Sequence, residues 1–345
     1  MNLNANEYFI LFGSSFILVS FLTAVMRIVA LRLGVVDAPI EAHKTHKNPI
    51  PYLGGVAIVL GVVLVVVGSS IASNYSMATI WLAASVLIPA ILLGIVGLID
   101  DIKRLSPWPR FIVQTTVALI SAIILISTET LGSPTGSIIF DSAITVLWIV
   151  GLTNAINFFD NVDGGASGTV AISSLFLFLL ALQGGQILIA ALAIVLTGAT
   201  LGFLVWNRPP ARIYMGDAGA LFLGVLIASL TIRLEPSPIN DFAAFAVPVF
   251  LMAIPILDTS VAVTKRISRG VSPFQGGRDH LSHRLMRLGM GKRKAVIILW
   301  LLTLFFGSLT LLLSEVPYSF EGALATLGAL IWLMAYAFFS KQPDS

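Results

Sequence analysis

The sequence predicts an all-α protein that crosses a membrane about eleven times. Hydrophobic residues make up 57% of its 345 residues and charged residues only 11%, whereas a soluble chain carries about 25% charged residues. Apolar runs of about 20 residues recur from end to end, which is the length that a helix needs to cross the hydrocarbon core of a bilayer. The mean hydropathy of +0.97 agrees with this class.

Each span is predicted where an apolar run lies between polar or turn-forming residues. The eleven predicted helices cover residues 8–30, 53–70, 80–98, 110–127, 142–158, 169–182, 187–206, 218–233, 242–263, 295–314 and 322–339. The first is interpreted as a retained helix, because no basic segment precedes it and no small-residue cleavage site follows it. The ninth contains Pro248 and Pro255. A proline removes one backbone hydrogen bond and clashes with the preceding turn, so we expect a kink there.

The distribution of charge predicts the orientation of these helices. With the N-terminus outside, 19 of the 20 basic residues lie on the inner side and Arg233 lies outside, whereas 7 of the 17 acidic residues lie outside. Basic loops remain in the cytoplasm, so we expect a multi-pass protein of the cytoplasmic cell membrane with a cytoplasmic C-terminus. The outer loops are short and no repeat is visible, so residues 1–345 are predicted to form one membrane domain. The absence of cysteine excludes disulfides and thiol chemistry.

Aspartate clusters stand where four of the hydrophobic spans run out, and the predicted topology puts all of them at the cytoplasmic face. The first cluster is Asp100-Asp101. Adjacent carboxylates repel each other, and a bound cation or a proton relieves that repulsion. A capping or topological role would need only one aspartate, so the pair favours metal or general-base chemistry.

The second cluster runs from Asn154 to Gly168 and contains Asn157, Asp160 and Asp163. The spacing of three residues puts the first polar side chains on one helical face, and the glycines that follow allow the backbone to approach a ligand closely. Such polar density beside an apolar span is costly unless it is used. The alternative is a helix end followed by a cap.

The third cluster runs from Asn207 to Gly219 and places Asp217 at the mouth of the eighth helix. A cap is the usual role of aspartate at such a position, and a metal ligand is the other interpretation. Tyr214 could stack on a nucleotide base or serve as an interface anchor.

The fourth cluster lies in the loop of residues 264–294, which carries nine of the basic residues. Its polar residues Asp279, His280, His283 and Arg284 include groups that can contact a diphosphate. Leucines at 281, 285 and 288 share one face, so we expect a short amphipathic helix that lies on the membrane. The alternative is a basic helix that binds lipid headgroups.

Two further groups belong to the same face. Asp258 lies near the inner end of the ninth span; an acid within a membrane is a candidate functional residue, and Lys265 or Arg266 could neutralise it. Lys47 belongs to the first inner loop, which is basic and leads into a helix whose first amides favour anions. The alternative for that loop is an anchor to lipid headgroups.

In their order along the chain, these segments resemble the polyprenyl-phosphate N-acetylhexosamine-1-phosphate transferase family, glycosyltransferase family 4. Residues 100–101 match its Asp-Asp motif, 154–164 its Asn-x-x-Asn-x-x-Asp-x-x-Asp-Gly motif, and 216–219 its Gly-Asp-x-Gly motif. Residues 279–284 resemble its His-rich loop motif. The resemblance covers most of the chain.

The His-rich motif is similar to that of the branch that uses UDP-GlcNAc or a related UDP-amino sugar. The peptidoglycan branch carries a run of three histidines that is absent here. Two residues depart from the family pattern. Asn161 stands where glycine is usual, in the stretch whose counterpart contacts uracil, and Ser282 replaces a histidine that is common in UDP-GlcNAc members.

The resemblance implies transfer of GlcNAc-1-phosphate, or a related HexNAc-1-phosphate, from a UDP-sugar to undecaprenyl phosphate with release of UMP. It implies Mg²⁺, or Mn²⁺ in its place, on Asp217 with Asn157 nearby. It also implies catalysis by Asp100 with support from Asp101. The implied substrate-binding residues are Lys47, Asn154, Asn157, Asp160, Asp163, Asn207 and Tyr214, and the implied contacts to phosphate or sugar are His280, His283 and Arg284.

The expected partners are a UDP-N-acetylhexosamine, undecaprenyl phosphate and the lipid bilayer, with no nucleic acid; a homodimer is compatible with these expectations. The product would initiate synthesis of a cell-envelope polysaccharide. Two alternatives stay open: a phospho-MurNAc-pentapeptide transferase, and a secondary transporter that uses Asp258 and the kinked ninth helix. A transporter usually places its polar sites near the bilayer midplane and often repeats its halves, whereas the polar clusters here lie at one surface.

Overall fold

The computed structural model describes residues 3–37, 49–73, 75–103, 105–128, 137–236, 241–273 and 277–342, and these are almost entirely helical. Their thirteen helices are α1 (Ala5–Leu33), α2 (Gly54–Ala72), α3 (Met77–Lys103), α4 (Pro107–Ser127), α5 (Ile138–Phe159), α6 (Gly165–Gln183), α7 (Ile187–Asn207), α8 (Gly216–Ile232), α9 (Asp241–Leu251), α10 (Ala253–Ser268), α11 (Leu281–Arg287), α12 (Lys292–Leu313) and α13 (Tyr318–Lys341). Two short strands, β1 (Val36–Asp37) and β2 (Ile50–Pro51), form an antiparallel pair. The predicted all-α class is confirmed.

Nine of the described helices are long and apolar enough to cross a bilayer, namely α1 to α7, α12 and α13. Helices α9 and α10 together pass the same test as one bent span, and α8 is a shorter apolar helix. These elements correspond in order to the eleven predicted spans. The third and ninth spans end five residues later than predicted. The sixth begins four residues early, at Gly165, because the glycine-rich segment after the second aspartate cluster is already helical.

The ninth predicted span is broken rather than merely kinked. Helices α9 and α10 meet at an angle of 78°, between the two prolines that predicted the bend. The break removes intrahelical partners from backbone carbonyls, which other helices then supply. Ser173 Oγ donates to the carbonyl oxygen of Leu251 at 2.6 Å, and Trp332 Nε1 donates to that of Ala253 at 3.0 Å. The break is therefore a satisfied part of the fold.

Helix α8 forms the centre of the bundle. All residues from Ala218 to Thr231 are buried, and the helix packs against α2, α3 and α5. Glycines permit the closest contacts, because a Cβ on Gly55 would collide with the backbone of Gly219 and a Cβ on Gly97 with that of Asp217. Since other helices enclose α8, its 17 residues need not match the thickness of a bilayer.

Large apolar side chains cover the outer surface of the bundle. Phe9, Ile139 and Leu147 are 74%, 79% and 73% exposed. A soluble protein rarely exposes contiguous apolar surface on this scale, whereas lipid acyl chains solvate it at no cost. The outer surface therefore supports a multi-pass membrane protein.

The basic loop after α10 contains the predicted short helix, α11, but not in the predicted place. Leu281 and Leu285 are buried against the protein, and Leu288 is exposed. The backbone amide of Leu281 donates to Asp258 Oδ1 at 2.7 Å. The expectation that this helix lies on the membrane is wrong, because its apolar face is used for packing and its first turn is tied to α10.

Candidate active site

A cleft of about 840 Å³ opens at the end of the bundle where α3 and α5 end and α8 begins. We refer to it as the polar cleft. The predicted site residues that line it are Asp100, Asp101, Asn157, Asp160, Asp163, Asn207, Tyr214, Asp217, His280 and His283. Asn154 and Arg284 do not line it, and Lys47 lies outside the described residues. All four aspartate clusters therefore reach one site.

A single guanidinium group joins two of these clusters. Arg110 Nη1 lies 2.7 Å from Asp100 Oδ2 and 2.6 Å from Asp217 Oδ2. Both carboxylates thus share one cationic nitrogen, which offsets their mutual repulsion. Asp100 also accepts a hydrogen bond of 2.6 Å from the backbone amide of Leu105. Arg110 was not among the predicted site residues, although it lines the cleft.

Asp101 has a structural task that sequence patterns did not assign to it. Its Oδ1 accepts from the amide of Asp217 at 2.8 Å, and its Oδ2 accepts from the amide of Ala218 at 3.0 Å. Asp101 thereby caps the start of α8 from another helix, where a carboxylate also interacts favourably with the helix dipole. The side chain of Asp217 is thus left to face the cleft. The capping interpretation of Asp217 is wrong, because Asp101 provides the cap.

A glycine is required where α8 begins. Gly216 has a φ of 71°, in the left-handed region that side chains rarely adopt. A Cβ at this position would lie 2.5 Å from Asp101 Oδ2. Gly216 therefore allows Asp101 to approach the helix start and hold Asp217 in place. We name Asp100, Asp101, Asp217 and Arg110 the carboxylate centre.

The second aspartate cluster adds an amide and two further carboxylates. Asn157 Nδ2 donates to Asp217 Oδ1 at 2.7 Å. Asp163 Oδ2 accepts from the amide of Ala211 at 3.0 Å and lies 3.2 Å from Lys292 Nζ. Burial in the cleft, and then the charges of the neighbouring carboxylates, raise the pKa of Asp160 well above its ordinary value. A cationic ligand near Asp160 would therefore be stabilised.

Asn207 lines the cleft but is committed to its own surroundings. Its Oδ1 accepts from the amide of Gly164 at 2.9 Å and from Ser167 Oγ at 3.0 Å, and its Nδ2 donates to the carbonyl of Ile213 at 3.0 Å. It thus connects the second and third clusters as a positioning residue. Asn154 donates to Gln114 Oε1 and stays one turn away from the cleft.

Two tyrosines form an aromatic side of the cleft. The ring centres of Tyr52 and Tyr214 lie 6.1 Å apart with a tilt of 55°. The amide of Tyr214 donates to the carbonyl of Pro51 at 2.9 Å, and the amide of Gly54 donates to the carbonyl of Tyr214 at 3.0 Å. Burial raises the pKa values of both tyrosines, so both hydroxyls remain protonated. These backbone bonds hold residues 51–54 against the third cluster.

The histidine-containing loop is held by buried ion pairs. Arg266 Nε and Nη2 donate to both carboxylate oxygens of Asp279 at 2.9 and 2.7 Å. Burial alone would raise the pKa of Asp279, but the hydrogen bonds and charge of Arg266 outweigh it and lower the pKa to about 2. Asp258 is paired instead with His280, whose Nδ1 lies 2.7 Å from Asp258 Oδ2. The expectation that Lys265 or Arg266 neutralises Asp258 is therefore wrong.

The hydrogen bonds of His280 determine its tautomer. Its Nε2 lies 3.2 Å from Arg266 Nη2, and a guanidinium can only donate. Nε2 must therefore accept, and Nδ1 carries the proton that Asp258 accepts. Both ring nitrogens are then engaged, so His280 acts here as a positioning residue. We name Asp258, Arg266, Asp279 and His280 the loop network.

His283 and Arg284, which follow the loop network, point in different directions. Burial, reinforced by neighbouring basic groups, lowers the pKa of His283 to about 4, so its ring faces the polar cleft as a neutral group. Arg284 is fully buried and donates to the carbonyl oxygens of Asp279, Phe339 and Gln342. The structure thus gives Arg284 a role in holding α13 against the loop, away from the cleft.

The two residues that depart from the family pattern contact each other. Ser282 Oγ donates to Asn161 Oδ1 at 2.5 Å, and Asn161 Nδ2 donates to the carbonyl of Phe158 at 2.7 Å. Asn161 lines the cleft, whereas Ser282 is buried behind it. A hydrogen bond therefore connects the second aspartate cluster to α11.

Comparisons with known proteins agree with this arrangement. The family model described as "Glycosyl transferase family 4" matches residues 82–235. A relative from Bacillus subtilis, named "Probable undecaprenyl-phosphate N-acetylglucosaminyl 1-phosphate transferase", is 32% identical over 94% of this chain and 86% of its own length. This chain belongs to glycosyl transferase family 4. The predicted family resemblance is confirmed.

Two further relatives differ in how much of the chain they match. A decaprenyl-phosphate N-acetylglucosaminephosphotransferase from Mycolicibacterium smegmatis is 32% identical over 85% of this chain and 79% of its own length. A phospho-N-acetylmuramoyl-pentapeptide-transferase from Streptococcus thermophilus is 30% identical over 56% of this chain. The match thus covers a larger share of this chain for the relatives whose names specify N-acetylglucosamine.

The cleft residues that sequence reasoning missed include Tyr52, Arg110 and Lys292. Arg110 and Lys292 each stand within three residues of the predicted start of a span at the cytoplasmic face. The bundle brings both of these helix starts to the cleft. Tyr52 stands two residues before the Gly54-Gly55 pair that opens α2. No sequence feature distinguished these residues from ordinary interface anchors.

Proposed function

We propose that this protein transfers GlcNAc-1-phosphate from UDP-GlcNAc to undecaprenyl phosphate and releases UMP. The observation that carries the proposal is the carboxylate centre, in which Arg110 bridges Asp100 and Asp217 at 2.7 and 2.6 Å inside the polar cleft. Relatives that match most of the chain are named for N-acetylglucosamine transfer to undecaprenyl or decaprenyl phosphate. A cleft at the end of a membrane bundle is accessible to a lipid acceptor and to a water-soluble donor.

The reaction is a phosphoryl transfer in which the lipid phosphate is the nucleophile. An oxygen of that phosphate attacks the β-phosphorus of the UDP-sugar and forms a new P–O bond. The bond from the β-phosphorus to the bridging oxygen breaks, and UMP leaves with that oxygen. Asp100 orients the lipid phosphate and accepts its proton where it carries one. Arg110 stabilises the negative charge on the transferred phosphoryl group.

The donor set of the carboxylate centre fits a magnesium ion. Mg²⁺ prefers oxygen ligands and is usually held by one or two carboxylates together with phosphate and water. Asp217 and Asn157 would hold it. Among the described residues, no group of three His, Cys, Asp or Glu side chains is placed to hold a metal ion, so phosphate and water would have to supply its other ligands. When bound, the ion would neutralise charge on the diphosphate.

The uridine is assigned to the side of the cleft formed by Tyr52 and Tyr214. Their rings offer aromatic faces for stacking. Asp163, held by Lys292 and by the Ala211 amide, lies on the same side and can accept from the base or ribose. The GlcNAc then extends toward His283, whose neutral ring can donate to a sugar hydroxyl or a phosphate oxygen.

The polar cleft is assigned to the cytoplasmic face of the cytoplasmic membrane. Nearly all basic residues belong to segments at this end of the bundle, as the positive-inside rule requires of cytoplasmic loops. Nucleotide sugars are also cytoplasmic compounds. Both considerations give an outer N-terminus and a cytoplasmic C-terminus.

The phospho-MurNAc-pentapeptide transferase is the weaker alternative. The relative with that name matches 56% of this chain, and the run of three histidines typical of that branch is missing. Membership in family 4 argues against the secondary transporter, because phosphotransfer accounts for the carboxylate centre without any ion pathway. Asp258, which motivated the transporter, is engaged with His280.

The proposal is tested by UMP release from the purified protein with Mg²⁺, undecaprenyl phosphate and a panel of UDP-amino sugars. We expect release with UDP-GlcNAc, and a loss of about 10³-fold in Asp217→Asn and Arg110→Gln. Matched controls are Arg32→Gln at the exposed end of α1 and Glu235→Gln beyond α8, both of which should keep full activity. If folded protein, shown by a cooperative melting transition in the assay detergent, releases no UMP with any donor, the proposal is refuted.

A further inference from the structure

A second cleft, of about 500 Å³, opens beside the polar cleft between the end of α7 and the start of α12. We name it the arginine cleft. Its lining includes the basic residues Arg208, Arg212 and Arg293 and the apolar residues Trp206, Trp300 and Ile297. None of these six residues lines the polar cleft. The proposed reaction therefore gives them no role.

Among the described residues, the arginines of this cleft have no acidic partner. Within the described part of the chain, no carboxylate pairs with any of the three guanidinium groups. Arg293 Nε donates to the carbonyl of Pro209 at 3.1 Å, and the Arg212 guanidinium lies 6.0 Å from the centre of the Trp206 ring. Arg208 and Arg293 are exposed. Three uncompensated guanidinium groups around one cavity favour a phosphate group, whose oxygens match their planar donor geometry.

The rest of the cleft lining includes large apolar groups. Trp206 Nε1 donates to Ser20 Oγ at 3.3 Å and Trp300 Nε1 to the carbonyl of Gly164 at 3.1 Å, so both indole N–H groups are used within the protein. The rings present carbon surface to the cleft, and Ile297 beside them is 49% exposed. Tryptophans of this kind are typical of the level where headgroups meet acyl chains. The cleft thus combines an anion site with an apolar wall.

We propose that the arginine cleft binds an anionic phospholipid of the surrounding bilayer, with its phosphate on the arginines and an acyl chain along the tryptophans. Basic pockets between membrane helices bind anionic headgroups in this way. A free phosphate shares the headgroup chemistry, but it would leave the apolar wall without a ligand.

The two clefts share a wall, which gives the lipid an effect on the donor side. The amide of Ala211, next to the arginine cleft, donates to Asp163 at 3.0 Å. Trp300 holds the carbonyl of Gly164, which follows Asp163. A bound lipid that orders this wall should lower the KM for the donor more than it changes kcat. This consequence rests on the proposed function, whereas lipid binding itself does not.

The test is a titration of the purified full-length protein with phosphatidylglycerol, read out as bound lipid by native mass spectrometry. The variant is Arg208→Gln with Arg293→Gln, and the matched control is Lys294→Gln with Lys341→Gln, which removes two positive charges from the same end of the bundle outside the cleft. Each interfacial arginine contributes about a fivefold factor in affinity, so we expect roughly 25-fold weaker binding in the arginine variant alone. Phosphatidylcholine should bind all three proteins equally and weakly.

Three outcomes would overturn the proposal. Equal losses in the two double variants would show general attraction to the basic face, and unchanged binding in the arginine variant would place the lipid elsewhere. Competition by soluble glycerol phosphate at matched concentration would show a site for free phosphate instead. If the double variant does not fold, the single variant Arg208→Gln serves as the test of binding. The exposed side chain of Arg208 forms no hydrogen bond in the described structure, so its replacement should not disturb the fold.

Discussion

The carboxylate centre and the loop network use the same residue types in opposite ways. In the carboxylate centre Asp100 and Asp217 share one arginine, Asp101 accepts from two backbone amides, and all three aspartates line the polar cleft. In the loop network Asp279 pairs with Arg266 and Asp258 accepts from His280, and both acids are buried without lining that cleft. A count of charged motifs therefore does not distinguish a ligand-binding site from a network that only stabilises the fold. The ratio of acidic to basic groups and the access of the carboxylates to solvent distinguish the two.

The largest expected effect comes from one substitution made in each region. Asp100→Asn should lower UMP release about 10³-fold and leave the melting temperature nearly unchanged. The substitution removes the repulsion between Asp100 and the other carboxylates as well as its attraction to Arg110, and these two changes offset each other. Asp279→Asn should cost about 3 kcal/mol of stability, since it leaves Arg266 buried without a full partner. That cost lowers the melting temperature by roughly 6 °C.

Thermal unfolding and UMP release of both variants in one detergent check this contrast. Activity of Asp279→Asn, measured well below its melting temperature, should stay within about tenfold of the unmodified protein. The distinction between the two regions fails if Asp279→Asn is as stable as the unmodified protein, or if Asp100→Asn unfolds.

A smaller effect is expected at the bond that connects the two regions. Asn161→Gly and Ser282→His each break the hydrogen bond between the second aspartate cluster and α11. Each should raise the KM for the UDP-sugar about tenfold with little change in kcat, because the bond positions the donor side of the cleft. The double variant contains the glycine and histidine that are typical of the family. Its KM should be about fivefold lower than that of either single variant.

A double-mutant cycle on KM for a panel of UDP-amino sugars measures this coupling. A recovery that differs between donors would identify the pair as a determinant of specificity. If the two single effects simply multiply in the double variant, the pair has no shared role.

The smallest effect concerns pH and His283. Its pKa is lowered from 6.5 to about 4 in the folded protein. Between these pH values the unfolded chain binds a proton that the folded chain does not, so stability falls as the pH drops from 7 toward 4. Replacement by glutamine removes this contribution. The decrease in melting temperature between pH 7.5 and pH 5 should therefore be about 2 °C smaller in His283→Gln than in the unmodified protein. An equal fall in both proteins would contradict the neutral state assigned to His283.

Hydropathy alone predicted most of the fold. The eleven spans appear in the predicted order, and the two prolines of the ninth marked its break. Burial in lipid requires long apolar runs, and that requirement can be read locally, residue by residue. The position of α11 could not be read in this way. Its leucine spacing suits a membrane surface and a protein core equally, and its bond to Asp258 is formed across 23 residues.

The candidate site was likewise predicted in part from the sequence and in part not. The sequence by itself determined that four aspartate clusters end spans on one side of the membrane, because chain direction and span number decide which end each loop occupies. Only the tertiary structure decided which carboxylate caps a helix and which faces the cleft, that Arg110 lies between Asp100 and Asp217, and that Arg284 turns away. Hydrogen bonds and ion pairs act over about 3 Å, so residues more than a hundred positions apart interact only once the bundle has brought their helices together.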